Sequence, residues 1–285
     1  MKNIVYADLH THTTASDGTS SPADVVQKAK EIGLNTIAIT DHDTLGGFDE
    51  AMAEGKIQGI NVVPGIEISC GWEGRDSSVH VVGLFIDPKS KELTQMLEEQ
   101  KKYRFKRALK ILQLLENEGI DTKKLFDEFN STPEKVLGRP HIARYLVENN
   151  YVKDFQQAFD KYLLRGRPAY VPKQSVPPET GVKIIHKAGG LAVVAHPGLV
   201  PDWDIVWNKL KDLPWDGIEV YYSEHKNSEV DKFLALAERY NLVPVGGSDY
   251  HGEYGKHTGR LGTAGLTKEQ YDVLLRRLPL KEAVN

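Results

Sequence analysis

The clearest signal of fold class lies in SPADVVQKAKEIG (residues 21–33) and in NTIAITDHD (residues 35–43), which follows after one residue. Ser21 before Pro22 is typical of a helix start, and Gly33 is typical of a helix stop. The second run is apolar and rich in β-branched residues, which indicates a strand covered on both faces. A helix followed by such a strand predicts an α/β protein.

Similar apolar runs recur along the chain. They are NIVYADLH (3–10), INVVPGIEIS (60–69), SVHVVGLFI (78–86), LAVVAHPG (191–198), GIEVYYSEH (217–225) and LVPVGGSDYH (242–251). Helical patterns lie between several of them, as in residues 177–189 and 227–241. This alternation predicts an α/β fold with a mostly parallel sheet.

Residues about 90–170 break the alternation, because no good strand pattern occurs there. Helices are predicted over residues 91–119, 139–150 and 154–166. We therefore divide the chain into a strand-rich unit, formed by residues 1–90 and 171–285, and a helical insertion of residues 91–170. The stretch KKYRFKR (101–107) mixes aromatic and basic residues, and we interpret it as the exposed face of a long helix rather than a surface that stacks nucleic acid bases.

Composition excludes several classes of function. A net charge of −4 gives no overall basic field for nucleic acid or membranes. The single cysteine, Cys70, excludes an internal disulfide framework and a cysteine-rich zinc site. No run approaches the roughly 18 apolar residues of a membrane helix, and the N-terminus is not typical of a signal peptide. We expect a cytoplasmic protein with no membrane contact and no obligate protein partner.

Histidines and acids fall at or near the ends of the predicted strands. In parallel α/β barrels the C-terminal strand ends meet on one face, where active sites form. Residues i and i+2 of a strand point to the same side, so His10 and His12 can present two imidazoles to one ion, and Asp249 and His251 can pair in the same way. The other candidates are Asp17, Asp41, His42, Asp43, Glu67, His80 and His196.

The mixture of donor atoms indicates the kind of ion. Nitrogen and oxygen ligands without thiolate suit zinc, iron or manganese, and the pattern does not choose among them. Two ions about 3.5–4 Å apart need a bridging carboxylate, for which Glu67 is the candidate. One histidine at a strand end is usually only hydrogen-bonded or solvated. The recurrence of such groups on successive strands is what predicts a metal site.

These motifs resemble the PHP superfamily, named for polymerase and histidinol phosphatase. The matching residues are DLHTHTTASDGTSSP (8–22), AITDHDT (38–44), PGIEIS (64–69), HVVGLFID (80–87), LAVVAHPG (191–198) and GSDYHG (247–252). The resemblance implies a distorted seven-stranded (β/α) barrel that binds two or three divalent ions of manganese, iron or zinc. It implies one ion on His10, His12, Glu67 and Asp249, a second on Glu67, His80 and His196, and a third on Asp17, His42 and His251. The same nine residues would form the catalytic centre.

The insertion resembles one branch of that superfamily, in GRPHIARYLV (138–147) and FDKYLLRGRPAYVP (159–172). The branch includes bacterial 3′,5′-nucleotide bisphosphate phosphatases, some of which also act as 5′→3′ exonucleases on short RNA. The resemblance therefore implies an enzyme that hydrolyses the 3′-phosphate of nucleoside 3′,5′-bisphosphates, with 5′→3′ trimming of short RNA as a close variant.

The insertion also carries positive charge that the overall charge hides. Residues 139–173, ending in Lys173, have a local net charge of +4. Arg139 would lie at a helix N-terminus, which favours an anion, and His141 and Arg144 are three residues apart on one face. We predict that Arg139, His141 and Arg144 bind a substrate phosphate, the alternative being ordinary surface ion pairs.

Other roles and functions stay open from the sequence. His225 is a candidate for the acid that protonates the leaving group, and Asp8 for a partner that orients the His10 imidazole. Alternative activities are a phosphodiesterase acting on a cyclic ribose or nucleotide phosphate and a histidinol-phosphatase-like phosphomonoesterase. A non-enzymatic alternative is a PHP module that serves a partner protein, but such modules often lose ligands and every ligand position is filled here.

Overall fold

Seven strands form one sheet in sequential order and curl into a nearly closed barrel. This computed structural model describes residues 5–71, 78–131, 138–172, 176–252 and 259–278. The strands are β1 (Ala7–Asp8), β2 (Thr36–Ile39), β3 (Asn61–Gly71), β4 (Ser78–Leu84), β5 (Leu191–Val194), β6 (Gly217–Tyr222) and β7 (Val243–Gly247). Leu9 N–H donates to Gly246 O at 3.2 Å and closes the first strand against the last. The predicted α/β barrel and its seven strands are confirmed.

The sheet is mostly parallel, as predicted, with one exception. β4 is antiparallel to both β3 and β5, whereas the other four pairings are parallel. Only residues 72–77 separate β3 from β4. A parallel pair needs a crossover of about a dozen residues or more, so this connection permits only an antiparallel neighbour.

Ten helices are present in the described part of the chain. They are α1 (Pro22–Glu31), α2 (Phe48–Gln58), α3 (Lys91–Asn117), α4 (Lys123–Ser131), α5 (Arg139–Glu148), α6 (Phe155–Ala158), α7 (Pro178–Lys187), α8 (Trp203–Leu210), α9 (Asn227–Tyr240) and α10 (Lys268–Leu275). α6 continues as a π-helical turn over Phe159–Leu163, and a 3₁₀ turn spans Pro197–Leu199. None of the helices in the described residues is both long enough and apolar enough to cross a membrane.

The predicted start and stop of α1 are confirmed. Asp24 N–H donates to Ser21 Oγ at 3.1 Å while the Asp24 carboxylate accepts from Ser21 N–H at 3.2 Å, which forms a capping box. Gly33 follows the helix at φ 85°, a conformation that costs glycine little.

Alternation along the strands sorts side chains between the barrel interior and the outer helices. On β3, Ile66 and Ile68 pack with the outer helices, whereas Val63 faces the apolar interior. Since successive side chains of a strand point to opposite faces, Glu67 shares the inward face of Val63. One buried acid is therefore directed into the barrel from the middle of its longest strand.

The insertion has an apolar core of its own. It is formed by buried residues between Ala108 and Ala169 on α3 to α6 and their connections. The first turns of α3 instead pack on the barrel's outer core through Leu93, Met96 and Leu97. One continuous helix thus joins both cores, and the division of the chain at residues 90 and 170 stays a prediction.

Candidate metal centre

The predicted ligand residues converge at one mouth of the barrel. Eight of the nine fall into three groups, which are His10, His12, Glu67 and Asp249; His42, Glu67 and His80; and His12, Asp17, His42 and His251. Within each group the donor atoms lie within 4.8 Å of one another. The ninth, His196, lies beside them, with Nε2 2.9 Å from Glu67 Oε1.

The deepest group has the spacing of a coordination shell. Glu67 Oε2 lies 3.3 Å from His10 Nε2 and 3.2 Å from His12 Nε2, and Asp249 Oδ1 lies 3.4 Å and 3.1 Å from the same two nitrogens. Donor atoms about 2.1 Å from one ion lie about 3.4 Å apart in a tetrahedral arrangement. These four side chains match the ligand set that the resemblance implies for one ion.

Glu67 connects this group to the others. Its Oε1 lies 2.6 Å from His80 Nδ1, and its Oε2 lies 2.9 Å from His42 Nδ1. The two oxygens of one carboxylate therefore face different imidazoles, as a bridging ligand requires. His42 is placed beside Glu67 as well as in the third group, a proximity that the predicted sets did not include.

The third group is wider. Asp17 Oδ1 lies 3.3 Å from His251 Nε2 and 3.9 Å from His12 Nδ1, and its Oδ2 lies 3.9 Å from His42 Nε2. Asp17 reaches this position because the loop folds back closely at Gly18, where a Cβ atom would lie 2.7 Å from His12 O. The shape of the loop thus depends on glycine for space.

The electrostatics of the centre favour a cation. Burial by itself raises the pKa of Glu67, but the nearby His42, His80 and His10 outweigh it and hold that pKa well below its usual value. The pKa values of Asp17 and Asp249 are likewise lowered by surrounding histidines despite burial. Three ionised carboxylates in a buried space need positive charge, either as protons on imidazoles or as metal ions.

The histidines respond to burial in two ways. At His12, burial alone lowers the pKa, but the adjacent carboxylates of Asp249 and Glu67 raise it to about 10. At His80, burial dominates and lowers the pKa to about 4, although Glu67 opposes it. His80 is therefore neutral near pH 7, the form in which an imidazole binds a metal.

The residues present fit a divalent ion. Glu67 Oε2 and Asp17 Oδ1 are buried and make no hydrogen bond to any group in the described residues. A buried carboxylate oxygen left in this way is costly unless a cation satisfies it. Imidazole nitrogen with carboxylate oxygen is the donor set of zinc, iron and manganese.

Comparison with known proteins agrees with this geometry. The PHP domain family matches residues 8–164, which is more than half of the chain. The chain belongs to the PHP domain family. It is 38% identical to a 3′,5′-nucleoside bisphosphate phosphatase of Chromobacterium violaceum over 91% of each chain. It is 37% identical to a 5′-3′ exoribonuclease of Haemophilus influenzae, over 86% of this chain and 89% of that one.

A solved structure shows the same fold. A protein of Bifidobacterium adolescentis, assigned as a metal-dependent phosphoesterase, superposes with a TM-score of 0.84 at 28% identity over 95% of this chain and 96% of that one. The predicted family is therefore confirmed, as is the prediction of a hydrolase acting on phosphoric esters.

Three of the seven non-glycine residues with a positive φ in the described part of this PHP domain lie at the centre. Asp43, His196 and Asp249 have positive φ angles of 51°, 26° and 54°. A residue other than glycine in this region costs about 1–3 kcal/mol and persists only when its surroundings fix it. His196 and Asp249 are predicted ligands, and Asp43 follows the predicted ligand His42.

Of the predicted phosphate-binding residues, Arg144 contacts the centre, whereas His141 and Arg139 make contacts within the insertion. Arg144 Nη2 donates to Asp17 O at 3.3 Å, which brings it to the centre. Gly138 N–H donates to His141 Nδ1 at 3.3 Å at the start of α5. Arg139 Nη1 instead donates to Leu163 O at 3.4 Å, within the insertion. Lys173 lies outside the described residues.

Two predicted roles are wrong. His225 Nε2 accepts from Gly198 N–H at 3.1 Å and its Nδ1 donates to Val220 O at 3.0 Å, so neither nitrogen is available to protonate a leaving group. Asp8 contacts the His10 main-chain nitrogen at 3.4 Å and accepts from Ser248 N–H, rather than orienting the His10 imidazole.

Three residues at the centre were missed. Glu219 and Tyr222 contact predicted ligands from β6, and the signal for Glu219 was an acid within an apolar run. Asp41, a candidate ligand from the sequence, instead binds the loop that follows His12. Arg104 is the third missed residue, and it pairs with Asp43 and donates to Ser69 Oγ at 3.1 Å. At 14% exposure, Arg104 contradicts the interpretation of residues 101–107 as a wholly exposed face.

Proposed function

We propose that this PHP enzyme hydrolyses the 3′-phosphate of nucleoside 3′,5′-bisphosphates at the candidate metal centre. One observation carries the proposal, namely that cationic side chains of the insertion reach the open side of the centre. His42, His80 and Asp17 are 16–18% exposed, whereas the side chains of His10, His12 and Asp249 are at most 4% exposed. A phosphoryl group would therefore enter beside the first three.

Two arginines of the insertion lie on that same side. Arg144 contacts the main chain of Asp17, and Arg104 pairs with Asp43, next to His42. A guanidinium is well shaped to bind a phosphate through two hydrogen bonds. A substrate with two phosphates could place one at the metal centre and the other against these arginines. His141 and Arg139, at the start of α5, are further candidates for binding the second phosphate.

The ions would be held by the three groups together with His196, with Glu67 shared between two of the groups. Manganese, iron and zinc all suit the donors, and two or three ions are proposed. Divalent ions bound there would supply a nucleophilic water at neutral pH and offset phosphoryl charge. The ligand side chains would hold the ions in a buried space that excludes water, and the arginines would orient the substrate.

Short RNA is a close variant of this substrate. The nucleotide at a phosphorylated 5′ end also carries phosphate groups on both sides of the ribose. The metal centre and the arginines of the insertion could therefore bind these two groups. The relationship to both a bisphosphate phosphatase and an exoribonuclease supports keeping the two substrates in one test.

The test is a screen of phosphate release with added Mn²⁺. Adenosine 3′,5′-bisphosphate is compared with both adenosine monophosphates, a cyclic nucleotide, histidinol phosphate and short 5′-phosphorylated RNA. The proposal predicts the highest kcat/KM for the bisphosphate, with RNA second. Preference for the cyclic nucleotide or for histidinol phosphate would contradict it, as would no hydrolysis of any substrate.

The centre itself is tested by Asp249→Asn. The variant keeps the size of the side chain but removes the charge and one acceptor, so phosphate release should fall by at least about 10³-fold while the protein stays folded. Asp127→Asn makes the same chemical change on the exposed surface of α4 and should retain wild-type turnover. Equal turnover of the two variants would refute the assignment of Asp249 as a ligand.

The role of the insertion is tested by Arg144→Ala. Loss of this cation should raise KM for the bisphosphate about 10- to 100-fold and raise KM for a monophosphate much less, because only the second phosphate loses its partner. Arg139→Ala should have a smaller effect, since its guanidinium donates within the insertion. Arg276→Ala, an exposed change at the end of α10, is the control. Equal KM changes for both substrates would exclude the proposal that Arg144 binds the second phosphate.

A further inference from the structure

β6 contributes no residue to the three donor groups found in the described residues, yet two of its side chains contact predicted ligands. Glu219 Oε1 lies 2.8 Å from His10 Nδ1. Its other oxygen, Oε2, accepts from His196 N–H at 2.6 Å. Tyr222 O–H donates to Asp249 Oδ2 at 2.8 Å.

A bulge in β6 makes both contacts possible. Residues 219 and 222 of a regular strand point to opposite faces, because their spacing is odd. Here Glu219 pairs with Val245 and Tyr221 pairs with Gly246, so Val220 is an extra residue without a counterpart on β7. The extra residue shifts the alternation and directs both Glu219 and Tyr222 towards the centre. Both are buried, at 1% and 3% exposure.

The Glu219 contact also determines how His10 can act. A carboxylate oxygen accepts, so this contact places a ring proton of His10 on Nδ1. Nε2 is then the ring nitrogen left to bind an ion, and it faces Glu67 and Asp249 at 3.3 Å and 3.4 Å. A histidine that binds a metal usually donates its other ring N–H to a carboxylate in this way.

Glu219 uses its two oxygens on two different ligands. Oε1 orients the His10 ring, and Oε2 holds the main chain at His196, whose φ of 26° is strained. A strained backbone needs surroundings that fix it. One carboxylate thus links a ligand on the strand-β1 side of the barrel to a ligand that follows β5.

We propose that Glu219 and Tyr222 are positioning residues for metal binding. Glu219 holds His10 as an Nε2 ligand and fixes the backbone of His196, and Tyr222 fixes the carboxylate of Asp249. This assignment rests on the proposed function, because it takes His10, His196 and Asp249 as ligands. Both β6 side chains are buried and act through the ligands that they contact.

Glu219→Gln is the sharpest substitution, since glutamine has the same shape but only one acceptor oxygen. It cannot accept from both His10 Nδ1–H and His196 N–H, so one of the two contacts is lost. Co²⁺ serves as the probe, because its visible spectrum reports coordination geometry. The affinity for Co²⁺, measured against a competing chelator, should fall about 10- to 100-fold, and the spectrum should change.

Tyr222→Phe keeps the ring and removes only the donor to Asp249. This variant should also lower the Co²⁺ affinity, by a smaller factor than Glu219→Gln does. It serves as the test of the proposal if Glu219→Gln does not fold. Glu238→Gln, on the exposed side of α9, is the matched control and should bind Co²⁺ as the wild type does. The melting temperature of each metal-free variant separates a loss of fold from a loss of metal binding.

The outcomes are distinct. Weaker Co²⁺ binding with an altered spectrum in a folded variant supports the assignment. If both variants bind Co²⁺ with the affinity and spectrum of the wild type, the assignment of Glu219 and Tyr222 is overturned, even if the melting temperature falls. The proposed function is not affected by that result. Failure of the wild-type chain to bind Co²⁺ overturns the proposed function, and this assignment with it.

Discussion

Asp41 illustrates how much of the centre depends on single buried residues outside the three donor groups. Its Oδ1 accepts from Thr13 N–H at 2.8 Å and Ser16 O–H at 2.5 Å, and its Oδ2 accepts from Thr13 O–H at 2.7 Å. These contacts fix the loop between His12 and Asp17. The sequence placed Asp41 at a strand end among candidate ligands, and the tertiary structure gives it a supporting position.

Asp41→Asn should destabilise this loop. The amide replaces an acceptor oxygen by a donor, so at least one buried hydrogen bond is lost and the free energy of unfolding should fall by about 1–3 kcal/mol. Denaturant unfolding in the presence of a chelator measures the effect without a contribution from metal binding. Asp204→Asn, an exposed aspartate paired with Lys232, should change it by less than about 1 kcal/mol. Indistinguishable midpoints would show that the loop does not need Asp41.

At the scale of the elements, closure of the barrel depends on close contact between β1 and β7. Asp249 N–H donates to His10 O at 2.9 Å, and a Cβ on Gly247 would lie 2.3 Å from His10 Cβ and 2.5 Å from His10 N. The two strands therefore approach each other where only a glycine fits. Their contact also carries His10 and Asp249 into one group.

Gly247→Ala should force these strands apart. The nearest atoms belong to the backbone and Cβ of His10, which cannot move as a flexible side chain would, so a loss of about 3 kcal/mol or more is expected. Thermal unfolding and metal content measure the two consequences. Gly46→Ala, whose nearest contact would be Thr44 Oγ1 at 3.3 Å, is the control and should be nearly neutral. Wild-type stability and metal content in Gly247→Ala would contradict the tight closure.

At the scale of the whole molecule, the centre joins six of the seven strands, either directly or through the segments that follow them. Its ligands come from β3 and β4 and from the segments that follow β1, β2, β5 and β7. A ligand that binds only the folded chain stabilises all of these elements together. Metal removal should therefore lower the stability of the entire barrel.

Saturating Mn²⁺ should raise the melting temperature by about 10 °C over that of the protein in a chelator. A metal at about 1,000 times its dissociation constant stabilises the folded state by about 4 kcal/mol, and each kcal/mol shifts the melting temperature of a large domain by about 2–4 °C. Glu67→Gln should lose most of this increase, because Glu67 belongs to two donor groups. The same melting temperature with Mn²⁺ and with chelator would show that the centre binds no metal under these conditions.

The sequence by itself determined the elements and the types of chemical group. Seven apolar runs predicted seven strands, Ser21 and Gly33 marked a helix, and histidines and acids at strand ends predicted a metal centre. These features depend on local periodicity and on residue type, which a single chain displays directly.

Tertiary structure decided the direction of β4, the bulge at Val220 and the contacts of Glu219, Arg104 and His225. His80 lies near the start of its strand and reaches the centre only because β4 runs antiparallel. Tyr222 shares the inward face of Glu219 only because of the bulge at Val220. Contacts between residues far apart in the chain depend on strand direction and register, and neither is encoded in the residue types at one position.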